Sequence, residues 1–317
     1  MASHLKNIAL VGASGNAGGA ALKALLAANR FNITIISRAD SSATFPEDAS
    51  ITVKKGDYKD PSFLQSAFSG QDAAMLALGF MAMDTQPALI EAAAKAGVKY
   101  ILPTEYAADG QSKELTENLP PIAQKAEGRS QIEEMGAKWI AIVTNPWTEF
   151  SLAYGVSTFG IDVKEKKAVL WEDAGKFNTT SREQVGRGIA AVLSLPIENK
   201  EDESASLQHY ANNFVYISSF LVTQRQLFDS VLRATGTKEA DWSVEESKIW
   251  GDEGRVADAQ QKMAQGNFMA MGGLMYGFYM SGDKGGNYEE KAKKDREVLG
   301  LKEENLDAVV KEFVNSA

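Results

Sequence analysis

Short runs of apolar residues alternate with longer helical segments along the first half of the chain. Strands that alternate with helices in this way are typical of a parallel sheet covered by helices on both faces. The pattern therefore predicts an α/β fold with a doubly wound parallel sheet that is complete before Asn145. The six predicted strands lie at residues 8–11, 33–36, 51–55, 73–78, 100–102 and 139–144, and the helices begin near residues 20, 61, 86 and 121.

The pattern loosens in the second half of the chain. Residues 266–286 are rich in Gly, Met, Phe and Tyr, which predicts a packed loop or a broken helix, and residues 297–314 predict a closing helix with a turn near Gly300. We therefore expect a sheet domain at residues 1–150 and a smaller α+β region at residues 151–317. The other predicted elements of this region are strands at 167–171 and 214–218 and helices at 180–193, 223–234 and 252–264.

The first strand ends in a glycine-rich turn that leads directly into an alanine- and leucine-rich helix. Of its three glycines, the first permits the tight turn, the second lets the backbone approach a pyrophosphate, and the third lets the helix pack against the strand. The N–H groups and the positive dipole end of the helix also favour phosphate. The turn has the spacing G-x-x-G-x-x-G and predicts a dinucleotide site, formed by Gly12, Ser14, Gly15, Asn16, Ala17 and Gly18.

The end of the second strand indicates which dinucleotide is bound. An NAD-binding fold usually has a carboxylate there, which accepts a hydrogen bond from the ribose 2′-hydroxyl. This chain has Ser37 and Arg38 at that place, and Asp40 follows two residues later. A guanidinium can pair with a 2′-phosphate, and a serine hydroxyl can donate to the same phosphate. The predicted cofactor is therefore NADP(H).

Composition narrows the classes of function. The 317 residues, 44% hydrophobic and 24% charged, leave room for one large α/β domain and a smaller region. A net charge of −9 argues against nucleic acid or an anionic membrane as a partner. The longest nearly unbroken apolar stretch, residues 73–83, is too short to span a bilayer.

The chain has no cysteine, which excludes disulfides and thiolate nucleophiles, and its only histidines are His4 and His209. We therefore expect no metal site. We also expect a cytoplasmic protein that is a monomer or a homodimer.

Four stretches of sequence occur together in this chain. The first is the glycine turn, and the others are residues 92–106, 125–133 and 184–187. Residues 92–106 end in Pro-Thr-Glu-Tyr. Together they resemble the NmrA-like, isoflavone-reductase-like branch of the short-chain dehydrogenase/reductase superfamily. The resemblance implies a Rossmann fold that binds NADPH and a C-terminal region that encloses a small-molecule substrate. It also implies a lysine near the nicotinamide ribose that assists proton transfer, and the matching residue is Lys125.

The candidate catalytic residues are Lys125, Glu105 and Tyr106. The Tyr-x-x-x-Lys pair of conventional members of the superfamily is absent from this sequence; Tyr106, for example, is followed four residues later by Gly110. A lysine between a ribose and an apolar wall would lose water, which lowers its pKa toward a useful range. Two alternatives remain open: Lys125 is a solvated residue in the first turn of a helix, and Glu105 is a structural acceptor for backbone N–H groups.

In open α/β sheets the ligand lies beyond the carboxyl ends of the strands. Gly79 would admit close approach of the backbone there, and Asn145 could bond to the nicotinamide or its ribose. The cofactor residues predicted by this rule are Asp57, Leu78, Gly79, Thr104 and Asn145, and Lys125 is added by the resemblance. The predicted apolar walls of the substrate site are Met81, Met83, Tyr106, Trp147 and Phe150.

Two functions of different class remain open. The first is an NADPH-dependent reductase that transfers hydride to an electrophilic carbon of an aromatic or alkaloid-like molecule. That carbon would belong to an enone, an imine or iminium, or a quinone-methide-like centre, in a secondary-metabolite step that can be coupled to cyclisation. The second is a sensor that binds NADP and catalyses little or no reaction, and whose NADP-occupied state is recognised by a protein partner. A substrate cavity beside the nicotinamide would support the reductase, and an exposed apolar patch over a filled cavity would support the sensor.

Overall fold

Strands alternate with helices along the first half of the chain in a computed structural model that describes residues 3–316. The strands are β1 (Asn7–Val11), β2 (Asn32–Arg38), β3 (Ile51–Gly56), β4 (Ala73–Leu76), β5 (Tyr100–Leu102), β6 (Lys138–Val143), β7 (Ile161–Asp162), β8 (Lys167–Trp171), β9 (Phe177–Thr179), β10 (Asn213–Tyr216), β11 (Phe220–Val222) and β12 (Ser243–Ser247). The helices are α1 (Asn16–Ala28), α2 (Pro61–Phe68), α3 (Gln86–Lys95), α4 (Lys113–Asn118), α5 (Pro120–Ala123), α6 (Lys125–Glu134), α7 (Thr148–Ala153), α8 (Arg182–Ser194), α9 (Gln224–Thr235), α10 (Arg255–Ala264), α11 (Met271–Met280), α12 (Glu289–Val298) and α13 (Leu306–Ser316).

A seven-stranded parallel sheet forms the centre of the molecule, in the order β10-β6-β5-β4-β1-β2-β3. Alternate residues of β1 face opposite sides of this sheet, as the pleat requires. Ile8 and Leu10 pack with α1 and α8, whereas Ala9 and Val11 pack with α2 and α3. The strand order reverses between β1 and β4, which is the switch point of a doubly wound sheet. The predicted Rossmann-type fold is confirmed.

The sheet differs from the prediction in one strand. β10 lies beside β6, with Phe214 opposite Ala141, so the sheet is not complete before Asn145. The second half of the chain therefore contributes a strand to the central sheet. Its helix α8 also packs on α1 so closely that a Cβ at Gly186 would lie 2.3 Å from the carbonyl oxygen of Ala20.

Most of the second half builds a separate core around two small sheets. β8 pairs antiparallel with β7 and parallel with β12, while β9 pairs antiparallel with β11. Phe159, Phe177 and Phe228 are fully buried in this core, and Leu115 and Ile122 of α4 and α5 also join it. Within residues 3–316, no helix is long and apolar enough to cross a membrane.

Two helix predictions differ from the structure. The helix predicted to begin near residue 121 is interrupted, because α5 ends at Ala123 and α6 begins at Lys125. The closing helix predicted at 297–314 begins only at Leu306, as α13. The turn predicted near Gly300 is present, since Gly300 adopts a φ of +60° just after α12. The glycine-rich segment 266–286, predicted as a packed loop or a broken helix, contains a three-residue 3-10 helix followed by the ten-residue helix α11.

Candidate functional site

The glycine turn between β1 and α1 is closed by contacts that only glycine permits. Gly12 has a φ of +81°, and a Cβ there would lie 2.1 Å from the carbonyl oxygen of Ala77. A Cβ at Gly18 would lie 2.1 Å from the carbonyl oxygen of Gly12. At Gly15 the nearest atom to a Cβ would be the oxygen of Gly12, at 3.3 Å. Gly12 and Gly18 are therefore required by the fold, whereas a Cβ at Gly15 would make only one tight contact, with the oxygen of Gly12.

The N-terminus of α1 is open toward this turn. Gly15 is the N-cap, so no side chain caps the helix, and its first turn has no acidic residue. Ser14, Gly15 and Asn16 are exposed, whereas Ala17 is partly buried. Uncapped N–H groups at the positive end of a helix dipole fit a pyrophosphate.

Arg38 ends β2 with 65% of its side chain exposed. Its nearest acidic partner is Asp40, at 3.7 Å, which is a long contact between two solvated groups. Ser37 beside it is buried, and the hydroxyl of Tyr58 donates to the carbonyl oxygen of Ile36. Burial raises the pKa of Tyr58 to about 12, and the positive charge of Arg38 opposes that rise. The guanidinium of Arg38 is therefore available for a ligand.

Asp57 follows β3 on the exposed surface, where its carboxylate accepts from the backbone N–H of Lys59 at 2.9 Å. This bond belongs to the turn before α2. Asp57 lies at the carboxyl edge of the sheet, as predicted, and its carboxylate there binds the backbone of the turn in which it lies.

The ends of β4 and β5 are tied together by Thr104. Its hydroxyl donates to the carbonyl oxygen of Leu76 at 3.1 Å and accepts from the N–H of Leu78 at 3.3 Å. The N–H of Thr104 in turn donates to Gln86, whose side chain is buried at the start of α3. No sequence motif marked Gln86 for this role. These bonds fix the backbone at Leu78, next to the switch point of the sheet.

The segment after β4 exposes apolar side chains at this edge. A Cβ at Gly79 would meet no atom of the described residues within 4 Å, so the backbone at this position is open to a ligand. The segment then forms a short 3-10 helix in which Phe80 is 87% and Met81 91% exposed, while Met83 is partly buried. Large apolar side chains at such exposure often mark a binding surface.

Glu105 is buried and forms an ion pair with Arg129 of α6. Nη1 of Arg129 donates to both carboxylate oxygens, at 2.7 and 2.6 Å, and only 2% of the Glu105 side chain is exposed. The guanidinium also lies over the rings of Trp139 and Phe214, 5.4 and 5.1 Å from their centroids. Arg129 was not among the site residues predicted from the sequence. The signal was its position four residues after Lys125, which places both side chains on one face of a helix.

Lys125 is the first residue of α6 and is partly buried. Because α6 connects β5 to β6, its N-terminus lies at the carboxyl edge of the sheet. Within residues 3–316 its amine makes no hydrogen bond. Burial lowers the pKa of Lys125, the charge of Glu105 opposes this shift, and Arg129 adds to it. Burial raises the pKa of Glu105, and both cations oppose that rise.

Tyr106 lies on the other side of the sheet from Glu105. It packs in the core with α1 and α8, and its hydroxyl lies 3.5 Å from the carbonyl oxygen of Leu102. Burial raises the pKa of Tyr106 well above its ordinary value, and the charge of Glu105 adds to the shift. This placement argues against Tyr106 as a proton donor and as a wall of the substrate site.

The other two predicted substrate residues lie at the start of α7. The indole N–H of Trp147 lies 2.9 Å from the hydroxyl of Thr144 and 3.2 Å from the carbonyl oxygen of Tyr106. The ring of Phe150 packs against that of Tyr154, with centroids 4.6 Å apart and planes tilted by 37°. Trp147 is therefore anchored, whereas Phe150 and Tyr154 form an aromatic pair of which Tyr154 is exposed.

Asn145 holds a left-handed backbone conformation just after β6, with a φ of +50°. Its side-chain N–H donates to the carbonyl oxygen of Gly286 at 2.8 Å, which ties the segment before α12 to the edge of the sheet. The Oδ1 atom is buried and has no partner among the described residues. A buried acceptor without a donor is costly, so this atom is available to an amide or hydroxyl of a ligand.

A cavity of about 850 Å³ lies elsewhere, between α1, α7, α8 and α13. Lys23, Glu149, Arg182, Glu304 and Phe313 are among its lining residues, whereas Lys125, Asn145 and Met81 are not. No group of His, Asp or Glu within residues 3–316 is arranged to hold a metal ion.

The sheet, its glycine turn and the polar groups at its carboxyl edge define a Rossmann-type α/β protein. A model of the NmrA-like family matches residues 4–203, and the chain belongs to that family.

Three similar proteins span almost the whole chain. Oxidoreductase aprR of Aspergillus flavus is 27% identical over 316 residues, which cover 96% of this chain and 97% of the relative. The solved structure of AtPrR2 with NADP+ and (+)pinoresinol has a TM-score of 0.73 at 19% identity and covers 99% of this chain and 100% of that one. The triphenylmethane reductase of Citrobacter sp., solved with NADP(H), has a TM-score of 0.65 at 19% identity and covers 96% of this chain and 99% of that one.

Proposed function

We propose that this protein is an NADPH-dependent reductase. The observation that carries the proposal is the place of Lys125, whose amine lacks a hydrogen bond within residues 3–316 and lies at the same sheet edge as the glycine turn. A lysine of lowered pKa at the reacting end of a dinucleotide is suited to proton transfer. The relative aprR is named an oxidoreductase, and two proteins of similar fold were solved with NADP+ or NADP(H).

The residues at the carboxyl edge fit this cofactor. The uncapped N-terminus of α1 would hold the pyrophosphate, and Ser37 and Arg38 would hold the 2′-phosphate. The free Oδ1 of Asn145 would accept a hydrogen bond from the nicotinamide amide or its ribose. NADPH supplies a hydride when it is bound. Lys125 would hold the ribose and supply the proton that completes the reduction.

We propose an aromatic or alkaloid-like substrate with an electrophilic carbon, in an enone, an imine or iminium, or a quinone-methide-like centre. Residues 151–317, apart from β10, would form most of the substrate region, and a secondary-metabolite step coupled to cyclisation is one setting for it. Met81, Met83 and Phe150 would supply apolar walls. Two proteins of similar fold point to aromatic compounds: one was solved with (+)pinoresinol, and another is named a triphenylmethane reductase.

One observation favours the sensor as a second candidate. Phe80 and Met81 expose a large apolar surface directly beside the proposed cofactor, and a protein partner could contact it and read the occupied state.

The proposal is tested by NADPH consumption with a panel of aromatic enones, imines and quinones, with identification of each product. Lys125→Ala serves as the matched variant. Reduction of a panel member that depends on Lys125 would support the reductase. Tight NADPH binding without turnover of any panel member, unchanged by Lys125→Ala, would favour the sensor instead.

A further inference from the structure

The ion pair between Glu105 and Arg129 lies directly against the helix turn that carries Lys125. Lys125 and Arg129 are four residues apart in α6, so their side chains share one face of the helix. Glu105 reaches that face from the segment after β5, at 2.6 Å from Arg129. The buried carboxylate of Glu105 is therefore paired with Arg129, on the helix face that also carries Lys125, and Lys125 itself makes no hydrogen bond to it.

The arrangement explains why Glu105 is not itself suited to move a proton. Both of its oxygens accept from the same guanidinium nitrogen, and its side chain is 2% exposed. Arg129 is in turn fixed by the rings of Trp139 and Phe214. Neither member of the pair can reach a substrate without breaking buried contacts.

We propose that Glu105 and Arg129 are a positioning pair that sets the charge and the place of the Lys125 amine. The inference rests on the proposed function, in which Lys125 acts on the substrate. Glu105 attracts the protonated amine, and Arg129 repels it and holds Glu105 in place. The charged groups that act on Lys125 are Glu105, from the segment after β5, and Arg129, from α6 itself.

The two members of the pair should therefore shift Lys125 in opposite directions. Glu105→Gln keeps the size and an acceptor oxygen but removes the negative charge, so the pKa of Lys125 should fall. Arg129→Gln removes the repelling charge, so the pKa of Lys125 should rise. The double variant removes both charges and should return the pKa close to its starting value.

The direct measurement is an NMR titration of the protein labelled with 13C at lysine Cε, without cofactor. Loss of one signal in Lys125→Arg assigns the resonance. Glu127→Gln is the matched control, because this exposed carboxylate also lies in the first turn of α6 and should leave the titration unchanged. Arg129→Lys keeps the positive charge and should restore most of the native pKa.

A purely structural role for the pair would lower the thermal midpoint of both single variants without opposite shifts of the Lys125 titration. That result, or equal titrations in all variants, would overturn the inference. Leaving one buried charge unpaired is destabilising. If one single variant fails to fold, the other still predicts a shift of stated sign in the Lys125 titration, and the absence of that shift would overturn the inference.

Measurement of kcat beside the Lys125 titration distinguishes failure of this inference from failure of the proposed function. Opposite shifts in the titration, with the same shifts in the pH profile of kcat, would support both. Opposite shifts in the titration with full turnover in Lys125→Ala would support the positioning pair and remove Lys125 from the reaction.

Discussion

Replacement of Arg38 by Ala tests the choice of cofactor. The guanidinium is 65% exposed and its contact with Asp40 is 3.7 Å long, so loss of that contact should change the free energy of unfolding by about 0–1 kcal/mol. A charge-assisted hydrogen bond to a 2′-phosphate is worth about 1.5–3 kcal/mol. Arg38→Ala should therefore weaken NADPH binding by about 10- to 150-fold. NADH lacks the 2′-phosphate, and its affinity should stay unchanged.

The assay is titration calorimetry with NADPH and NADH on both proteins, with a thermal scan of each. Asp40→Asn is the control: it removes the carboxylate that competes for Arg38, so NADPH affinity should stay equal or increase. An equal loss of affinity for both cofactors in Arg38→Ala would refute the reasoning, because the effect would then lie outside the 2′-phosphate. Lower NADPH affinity in Asp40→Asn would show that Asp40 orients Arg38 rather than competes for it.

Further substitutions test the glycine turn, the packing of α8 and the role of Lys125. Gly15→Val should abolish NADPH binding in calorimetry with a nearly unchanged thermal midpoint, whereas Gly18→Val should also lower the midpoint, since a Cβ there would lie 2.1 Å from a backbone oxygen. Gly186→Ala should destabilise the protein by about 1–3 kcal/mol in urea, because its Cβ would lie 2.3 Å from the oxygen of Ala20; a neutral result would contradict the close packing of α8 on α1. Lys125→Ala should lower kcat by about 10²- to 10⁴-fold with little change in NADPH affinity, and a loss below about fivefold would exclude a proton-transfer role.

The parts of the fold that sequence alone could predict are those set by local chemistry. The apolar runs of β1 and β2 are short and rich in β-branched residues. The glycine turn needs Gly12 for its positive φ and Gly18 for its close approach to Gly12, six residues earlier. The place of β10 depends on its pairing with β6, some seventy residues earlier. Nothing in the residues 213–216 distinguishes an edge strand of the main sheet from a strand of a second sheet.

The break between α5 and α6 has a different cause. Pro120 and Pro121 both lie in the first turn of α5, where proline is tolerated because no N–H is needed. The chain then restarts at Lys125, which places this residue at a helix N-terminus rather than within a longer helix. The prolines are visible in the sequence, but they do not by themselves fix where the first helix ends and the next begins.

Glu105 and Tyr106 are adjacent in sequence, and the sequence alone left both as candidates to act with Lys125. Tyr100, Leu102 and Tyr106 pack on the face covered by α1 and α8, whereas Ile101 packs on the other face. Right-handed crossovers place the helix between β5 and β6 on that other face, where α6 brings Arg129 against Glu105. Alternation along β5, combined with the handedness of the crossover, would have favoured Glu105 over Tyr106. The sequence did not give the order of β5 and β6 in the sheet. With the opposite order, a right-handed crossover would have placed α6, and with it Lys125, on the face that carries Tyr106.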